Sequence, residues 1–365
     1  MATQSRRSPK ATGRVELGPW GWENWKAQQE GLPPHSAFEV ACYTDARLSG
    51  EAIIGPYQLL ENYLDDPIAR LQESFRMGLV LRIEHHHPVA DQDAFIDESW
   101  EQTDPRVFHG GDGAQELASL LSLALGVRLK AGGIVRVFDQ ADDPRGRPYE
   151  YQHQVPYLPP SGQWAILPAV TRTRWPNIDV PLKRSVPLLS DYAGLSAQQA
   201  IALVRAARSY QEAIWMAESD PRQAWLRLVV AVETAARQWA PGARPTRRFV
   251  DFCMALRPSP PRPRPRSKDE RVDWRRMSEH LRTIYHYRSR DLHDGIPFPT
   301  ELCEPPWQYG RRAPNERPVA PRAIGQPAPQ TPDDMPMLLH TFEYIVRGAL
   351  QAWWESMAAA PSTGR

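Results

Sequence analysis

The residues best suited to chemistry in this sequence lie in the string RSRDLH at 288–293, near the end of a predicted helix. Arg288 can bind anionic groups because its guanidinium keeps its proton in proteins. His293, five positions later, can accept or donate a proton near neutral pH. On an ideal helix the two side chains lie about 140° apart. We therefore expect them to flank a groove, or to converge if the last helical turn tightens.

Two charged residues fall on apolar faces of predicted helices. Arg288 lies on the apolar stripe of the helix at 274–293, and Glu233 has valine or alanine three and four positions away on the helix at 222–240. The stripe consists of Leu281, Ile284, Tyr285 and Leu292. Burying an unpaired charge costs several kcal/mol. The sequence therefore predicts either a pair that fixes helix register or a pocket in which both residues serve chemistry.

These residues belong to a C-terminal half, 195–359, whose patterning predicts an all-α bundle. Apolar residues at helical spacing predict helices at 195–219, 222–240, 246–257, 274–295 and 334–359. Proline-rich insertions at 257–271 and 296–333 interrupt them. The first insertion alternates proline with arginine, which favours an extended, solvated loop. A basic arm that touches phosphate is the alternative.

The N-terminal half has mixed patterning. Residues 1–14 are predicted to be a disordered tail and residues 15–190 an α+β domain. Within that domain we expect strands at 78–84 and 132–139, helices at 58–78 and 113–126, and short strands and turns over 155–190. The predicted fold class is thus an α+β N-terminal domain followed by an all-α helical bundle.

Composition limits the classes of protein. No apolar run approaches the roughly 20 residues that a membrane helix needs, so no membrane partner is expected. The first residues do not resemble a secretory signal, and the 3 cysteines are far apart, which favours a reducing cytoplasm over a disulfide scaffold. No metal or cofactor is expected, because His85 and His87 offer only two ligands. Residues 196–365 carry 25 Lys and Arg against 18 Asp and Glu, a net charge of +7, which permits a polyanionic partner.

The string IYHYRSRDLHDG at 284–295 resembles the signature of the HEPN superfamily (higher eukaryote and prokaryote nucleotide-binding), and within it the Apea-like branch. That signature is an arginine, four to six residues and a histidine near the end of a late helix. Arg288 and His293 match it with four residues between them. Ser289 stands where many members have a polar residue, often asparagine. The string LRLVVAVETAA at 226–236 is similar to the family's earlier helix, with Glu233 as its acidic residue.

The resemblance implies a metal-independent endoribonuclease that acts as a dimer. His293 would be the general base on the RNA 2′-hydroxyl, and Arg288 would stabilise the charge that builds on the phosphoryl group. Ser289 would donate a hydrogen bond to phosphate, and Glu233 would orient Arg288. RNA would be the substrate and a second copy of the chain the partner.

Further expectations concern the surroundings of this motif. His286 and Arg290 share the helical stripe of His293 and are candidates for contact with RNA, although a plain solvated face is the simpler interpretation. The family context suggests an effector of phage defence or a toxin, with an unidentified trigger bound by residues 15–190. The alternative is a non-catalytic module that dimerises or binds nucleotide or RNA without cutting it.

Overall fold

The computed structural model describes residues 18–62, 76–86, 113–139, 146–148, 180–305, 313–318 and 335–359. Over these residues an N-terminal sheet region is followed by a helical C-terminal region. The tail predicted at 1–14 and residues 155–179 of the predicted strands and turns lie outside the described residues. Much of the insertion predicted at 296–333 lies outside them as well.

An antiparallel sheet forms the N-terminal region. The described strands are β1 (Ser36–Thr44), β2 (Leu48–Ser49), β3 (Ala52–Ile54), β4 (Tyr57–Glu61), β5 (Arg76–His85), β6 (Lys130–Phe138), β7 (Arg147–Pro148) and β8 (Val180–Pro181). Six of them pair in the order β3-β4-β5-β1-β6-β7, while β2 pairs in parallel with β8. The strands predicted at 78–84 and 132–139 are β5 and β6, so both predictions are confirmed.

The prediction of a helix at 58–78 is wrong for the residues of that range that the structure describes. Strand β4 occupies the start of that range, and β5 begins at Arg76. In β4 the buried residues Tyr57 and Leu59 alternate with less buried neighbours, which is the period of a strand and not of a helix. Residues 63–75 lie outside the described part of the chain.

Two helices accompany the sheet, α1 (Trp20–Gln29) and α2 (Gly113–Leu125). Helix α2 is buried on nearly all sides, as expected for a helix in the centre of a domain. It ends at Gly126, whose φ of 66° lies in the left-handed region that glycine adopts without strain. The helix predicted at 113–126 is confirmed.

The C-terminal region contains helices α3 (Val186–Ser190), α4 (Ala197–Met216), α5 (Pro221–Trp239), α6 (Pro245–Leu256), α7 (Met277–Asp294) and α8 (Leu339–Ala359). Ser196 caps α4 through a capping box with Gln199, and the Asp220 side chain caps α5 by accepting from the Gln223 amide. Gly295, with a φ of 67°, ends α7. The five long helices predicted from the sequence are all present.

The sheet and the helices share one hydrophobic cluster, in which α2 packs against α4. A buried cation reinforces this contact. Arg128 follows α2, and its Nε donates to the Ile214 carbonyl at 2.7 Å. Its two Nη atoms lie 3.2 Å from Asp45 and 2.8 Å from Glu218. Arg128 thus joins the end of β1 to the end of α4.

The proline-rich segment 257–271 has no helix or strand, as expected, but it is anchored to the bundle rather than fully solvated. Arg264 Nε donates to Glu316 at 2.8 Å, and the Tyr344 hydroxyl of α8 donates to the Ser259 carbonyl at 2.9 Å. The expectation of a solvated loop is therefore wrong at these anchors and at the buried Pro265, whereas about half of the segment is exposed. Sequence patterning missed the anchor because Arg264 and Glu316 are 52 residues apart.

Candidate functional site

Arg288 on α7 pairs with Glu233 on α5. Arg288 Nη2 donates to Glu233 Oε2 at 2.7 Å, and the two side chains are 18% and 17% exposed. The pair is one of the two outcomes that the apolar surroundings of these charges predict. Its partial exposure matters, because a guanidinium at the edge of the core is held in place and still borders solvent.

Tyr285, one turn before Arg288, completes this arrangement. Its hydroxyl donates to Glu233 Oε1 at 2.8 Å, so both carboxylate oxygens have a partner. Burial and the hydrogen bond to Glu233 raise the pKa of Tyr285 to about 12, which keeps the hydroxyl protonated as a donor. The sequence assigned Tyr285 only to the core, because an apolar stripe does not show which polar group its hydroxyl meets.

A second guanidinium acts on the Tyr285 hydroxyl. Arg288 and Arg248 both act to lower the pKa of Tyr285, but burial and Glu233 outweigh them. Arg288 Nε is buried and has no hydrogen-bond partner among the described residues. Glu233 therefore orients Arg288 through Nη2, while 18% of the Arg288 side chain stays exposed at the edge of the core.

His293 lies apart from this cluster, exposed in the last turn of α7. Within the described part of the chain, its imidazole has no hydrogen bond or ion pair. Helix α7 is α-helical as far as Asp294, so the angle of about 140° between the two positions is kept. Within one copy, Arg288 faces α5 while His293 faces solvent, and the structure does not bring the two side chains together.

The end of α7 differs from the predicted stripe at one position. Leu292, assigned to the core, is 52% exposed, whereas Asp291 is only 5% exposed. Residues 292–297 are all exposed, so the described part of the chain does not cover this end of α7. Asp291 is buried instead because Arg222 on α5 binds it.

The other predicted site residues line the outer face of α7. His286 is exposed, and Ser289 and Arg290 are half-buried. Arg282, one turn before His286, is exposed on the same face. None of these side chains has a hydrogen bond or ion pair among the described residues. The arrangement is a polar, basic stripe that ends at His293.

The metal ligands considered from the sequence do not form a cluster where the structure describes them. His85 stacks on Trp20 at 5.0 Å between ring centroids, and His87 lies outside the described residues. Over the described ranges, no group of three or more His, Cys, Asp or Glu side chains could hold a metal ion.

Comparison with known proteins gives no family for this chain: no family model, no curated protein and no solved structure matches it. None of the described helices combines the length and apolar character needed to cross a membrane. The structure thus defines an N-terminal sheet region followed by a helical region, in which Arg288 of α7 pairs with Glu233 of α5.

Proposed function

We propose that this chain is a metal-independent endoribonuclease of HEPN type. The observation that supports the proposal best is the Arg288 side chain, which pairs with Glu233, lies over the Tyr285 ring and stays 18% exposed at the edge of the core. The last turn of the same helix carries His293, whose imidazole is exposed and accessible to a substrate. A fixed cation and an accessible base on one helix suit phosphoryl transfer.

The reaction uses the nucleophile that RNA carries. The His293 imidazole takes the proton of a 2′-hydroxyl, whose oxygen then attacks the adjacent phosphorus. The bond from phosphorus to the 5′-oxygen breaks, and that oxygen takes up a proton. The products are a 2′,3′-cyclic phosphate and a 5′-hydroxyl. Arg288 stabilises the charge on the phosphoryl oxygens, and Ser289 donates a hydrogen bond to them.

The active assembly in this proposal is a homodimer formed through the helical region. Within one copy, Arg288 and His293 lie on different sides of α7. In this proposal the ends of two α7 helices therefore meet to complete a catalytic centre. Leu292 and Ile296, which are 52% and 42% exposed, lie beside His293 and give this end an apolar surface suited to a second copy.

RNA would lie along the outer face of α7. His286 and Arg290 on that face contact its phosphates, and the net charge of +7 over residues 196–365 attracts the strand. As a cytoplasmic effector of phage defence or a toxin, such an enzyme would stop growth by cutting RNA. Residues 15–190 would bind the trigger.

The test incubates the purified full chain with single-stranded RNA in EDTA. Cleavage is expected to leave 2′,3′-cyclic phosphate ends. Arg288→Ala should reduce the rate by about 10²- to 10³-fold and His293→Ala by about 10²- to 10⁴-fold. Arg184→Ala, which removes an exposed arginine beside the sheet region, is the control. Unchanged cleavage in both site variants would exclude the nuclease.

A second function is favoured by one observation, namely that Arg288 is already bound by Glu233 and turned away from His293. On this basis the helical region would bind RNA or nucleotide, or dimerise, without cutting. The wild-type chain would then retain RNA in a binding experiment but leave it intact, with or without His293→Ala. Cleavage that depends on His293 would exclude this alternative.

A further inference from the structure

A cleft opens between the first two turns of α6 and the second turn of α7. Its volume is about 770 Å³, and it is lined by Arg244, Pro245, Thr246, Arg247, Val250, Asp251 and Arg282. The charged groups that line it are the guanidinium groups of Arg244, Arg247 and Arg282 and the carboxylate of Asp251. None of these residues belongs to the arginine–histidine motif or to the cluster around Glu233.

The charges in the cleft do not cancel. Arg247 Nε lies 3.2 Å from Asp251 Oδ2, four residues later on the same helix, and the two side chains are 80% and 52% exposed. That pair neutralises the one carboxylate. Arg244 and Arg282 have no side-chain ion pair in the described part of the chain, so two cations remain to face a ligand.

The backbone adds to the attraction for anions. Helix α6 has 12 residues, and no side chain caps its N-terminus, because Arg244 at the N-cap carries no acceptor. Pro245 has no N–H, and the Arg248 amide donates to the Arg244 carbonyl. In the described part of the chain this leaves the amides of Thr246 and Arg247 without a partner, and the positive end of the helix dipole lies at the cleft. Arginines from two helices beside uncapped amides suit a phosphate group.

The cleft also lies in line with the proposed reaction site. Arg282 shares the outer face of α7 with His286 and His293, and it precedes His293 by eleven positions, or about 16 Å along the helix. We propose, on the basis of the nuclease function above, that the cleft is a phosphate subsite for the RNA strand that flanks the cut bond. Arg244 and Arg282 are its anchors.

The experiment compares the full-length wild type with an Arg244→Ala/Arg282→Ala variant. The matched control is Lys183→Ala/Arg184→Ala, which removes two exposed cations beside the sheet region. Binding of a fluorescent single-stranded RNA is measured over a range of salt concentrations. The cleft variant should bind at least tenfold more weakly, and the slope of log K against log salt should fall by about 1.4 for two lost phosphate contacts. The control should bind like the wild type.

Cleavage kinetics test the proposed subsite separately from the proposed nuclease activity. The cleft variant should raise KM for a long RNA at little change in kcat, and it should leave cleavage of a dinucleotide unchanged. Wild-type cleavage with an unaltered KM in the variant overturns the subsite alone. Absent cleavage together with weaker RNA binding by the variant overturns the nuclease and keeps the subsite. If the two substitutions weaken the binding of tripolyphosphate but leave the binding of RNA unchanged, the cleft binds free anions and the RNA subsite is overturned.

Discussion

Arg222 at the start of α5 holds Asp291 at the end of α7 through two parallel hydrogen bonds. Nε and Nη2 of Arg222 lie 2.7 and 2.8 Å from the two oxygens of Asp291. The Asp291 side chain is 2% exposed, whereas that of Arg222 is 47% exposed. Since Asp291 stands two residues before His293, this contact fixes the turn that carries the proposed base.

Removing this contact should affect both stability and catalysis. In Arg222→Ala the buried Asp291 carboxylate loses its partner, so the midpoint of thermal unfolding should fall and kcat for RNA cleavage should fall severalfold. Arg227→Ala is the control on the same helix, because it breaks only the exposed pair with Glu212. Thermal unfolding and cleavage assays of both variants check this. Equal behaviour of the two variants would contradict the positioning role.

For the rate of RNA cleavage, we expect the charge of Glu233 to be more important than the hydrogen bond that it accepts from Tyr285. Glu233→Ala leaves the guanidinium of Arg288 unheld, and we expect cleavage to fall by about 10- to 100-fold, less than on losing the arginine itself. Tyr285→Phe removes one hydrogen bond and should lower the free energy of unfolding by about 1 kcal/mol with a smaller effect on the rate. Single-turnover rates of both variants test this. A larger rate loss in Tyr285→Phe would argue against it.

Gly348 on α8 should not tolerate a methyl group. A Cβ at this position would lie 2.6 Å from Cγ of Pro258, in the segment anchored across the bundle. Gly348→Ala should lower the free energy of unfolding by about 1–3 kcal/mol, the range for overpacking. Gly194→Ala is the control, because nothing lies within 4 Å of its Cβ position. Urea unfolding measures the difference, and trypsin should cut the variant faster after Arg266.

Asp45 should make stability depend on pH. Burial raises the pKa of its carboxyl, Glu218 adds to the rise, and Arg128 opposes it. The folded state therefore holds this proton more firmly than the unfolded state, whose carboxyl titrates near 3.8. The proton on Asp45 therefore stabilises the folded state. This stabilisation is complete below about pH 3.8 and is lost as the pH rises through the raised pKa of the folded state.

The variant Asp45→Asn isolates this effect, because the amide cannot ionise but keeps an oxygen for Arg128. Its free energy of unfolding, relative to the wild type, should increase as the pH is raised from acid to neutral. Urea unfolding at a series of pH values checks the trend. A difference that stays constant with pH would show that the folded and unfolded states bind this proton equally.

Much of the local structure could be predicted because it depends on neighbours in the sequence. Ser196 with Gln199, and Gly126 and Gly295, mark helix ends through contacts within a few residues. The paired Glu233 and Arg288 could be expected because each interrupts an apolar stripe. The strand at Tyr57–Glu61 could not, because its short alternation competes with a longer helical pattern and is fixed by pairing with β3 and β5.

By itself the sequence determined the helix at 113–126, the five helices of the C-terminal half and the two charges that must find partners, since periodicity acts over a few residues. It did not give α1 or α3. The tertiary structure decided that Tyr285 shares Glu233 with Arg288, that Asp291 and not Leu292 is buried, and that Arg264 reaches Glu316. Such contacts join residues far apart in the chain. Helical periodicity shows which side of a helix is apolar, but only packing decides which part of that side another element covers.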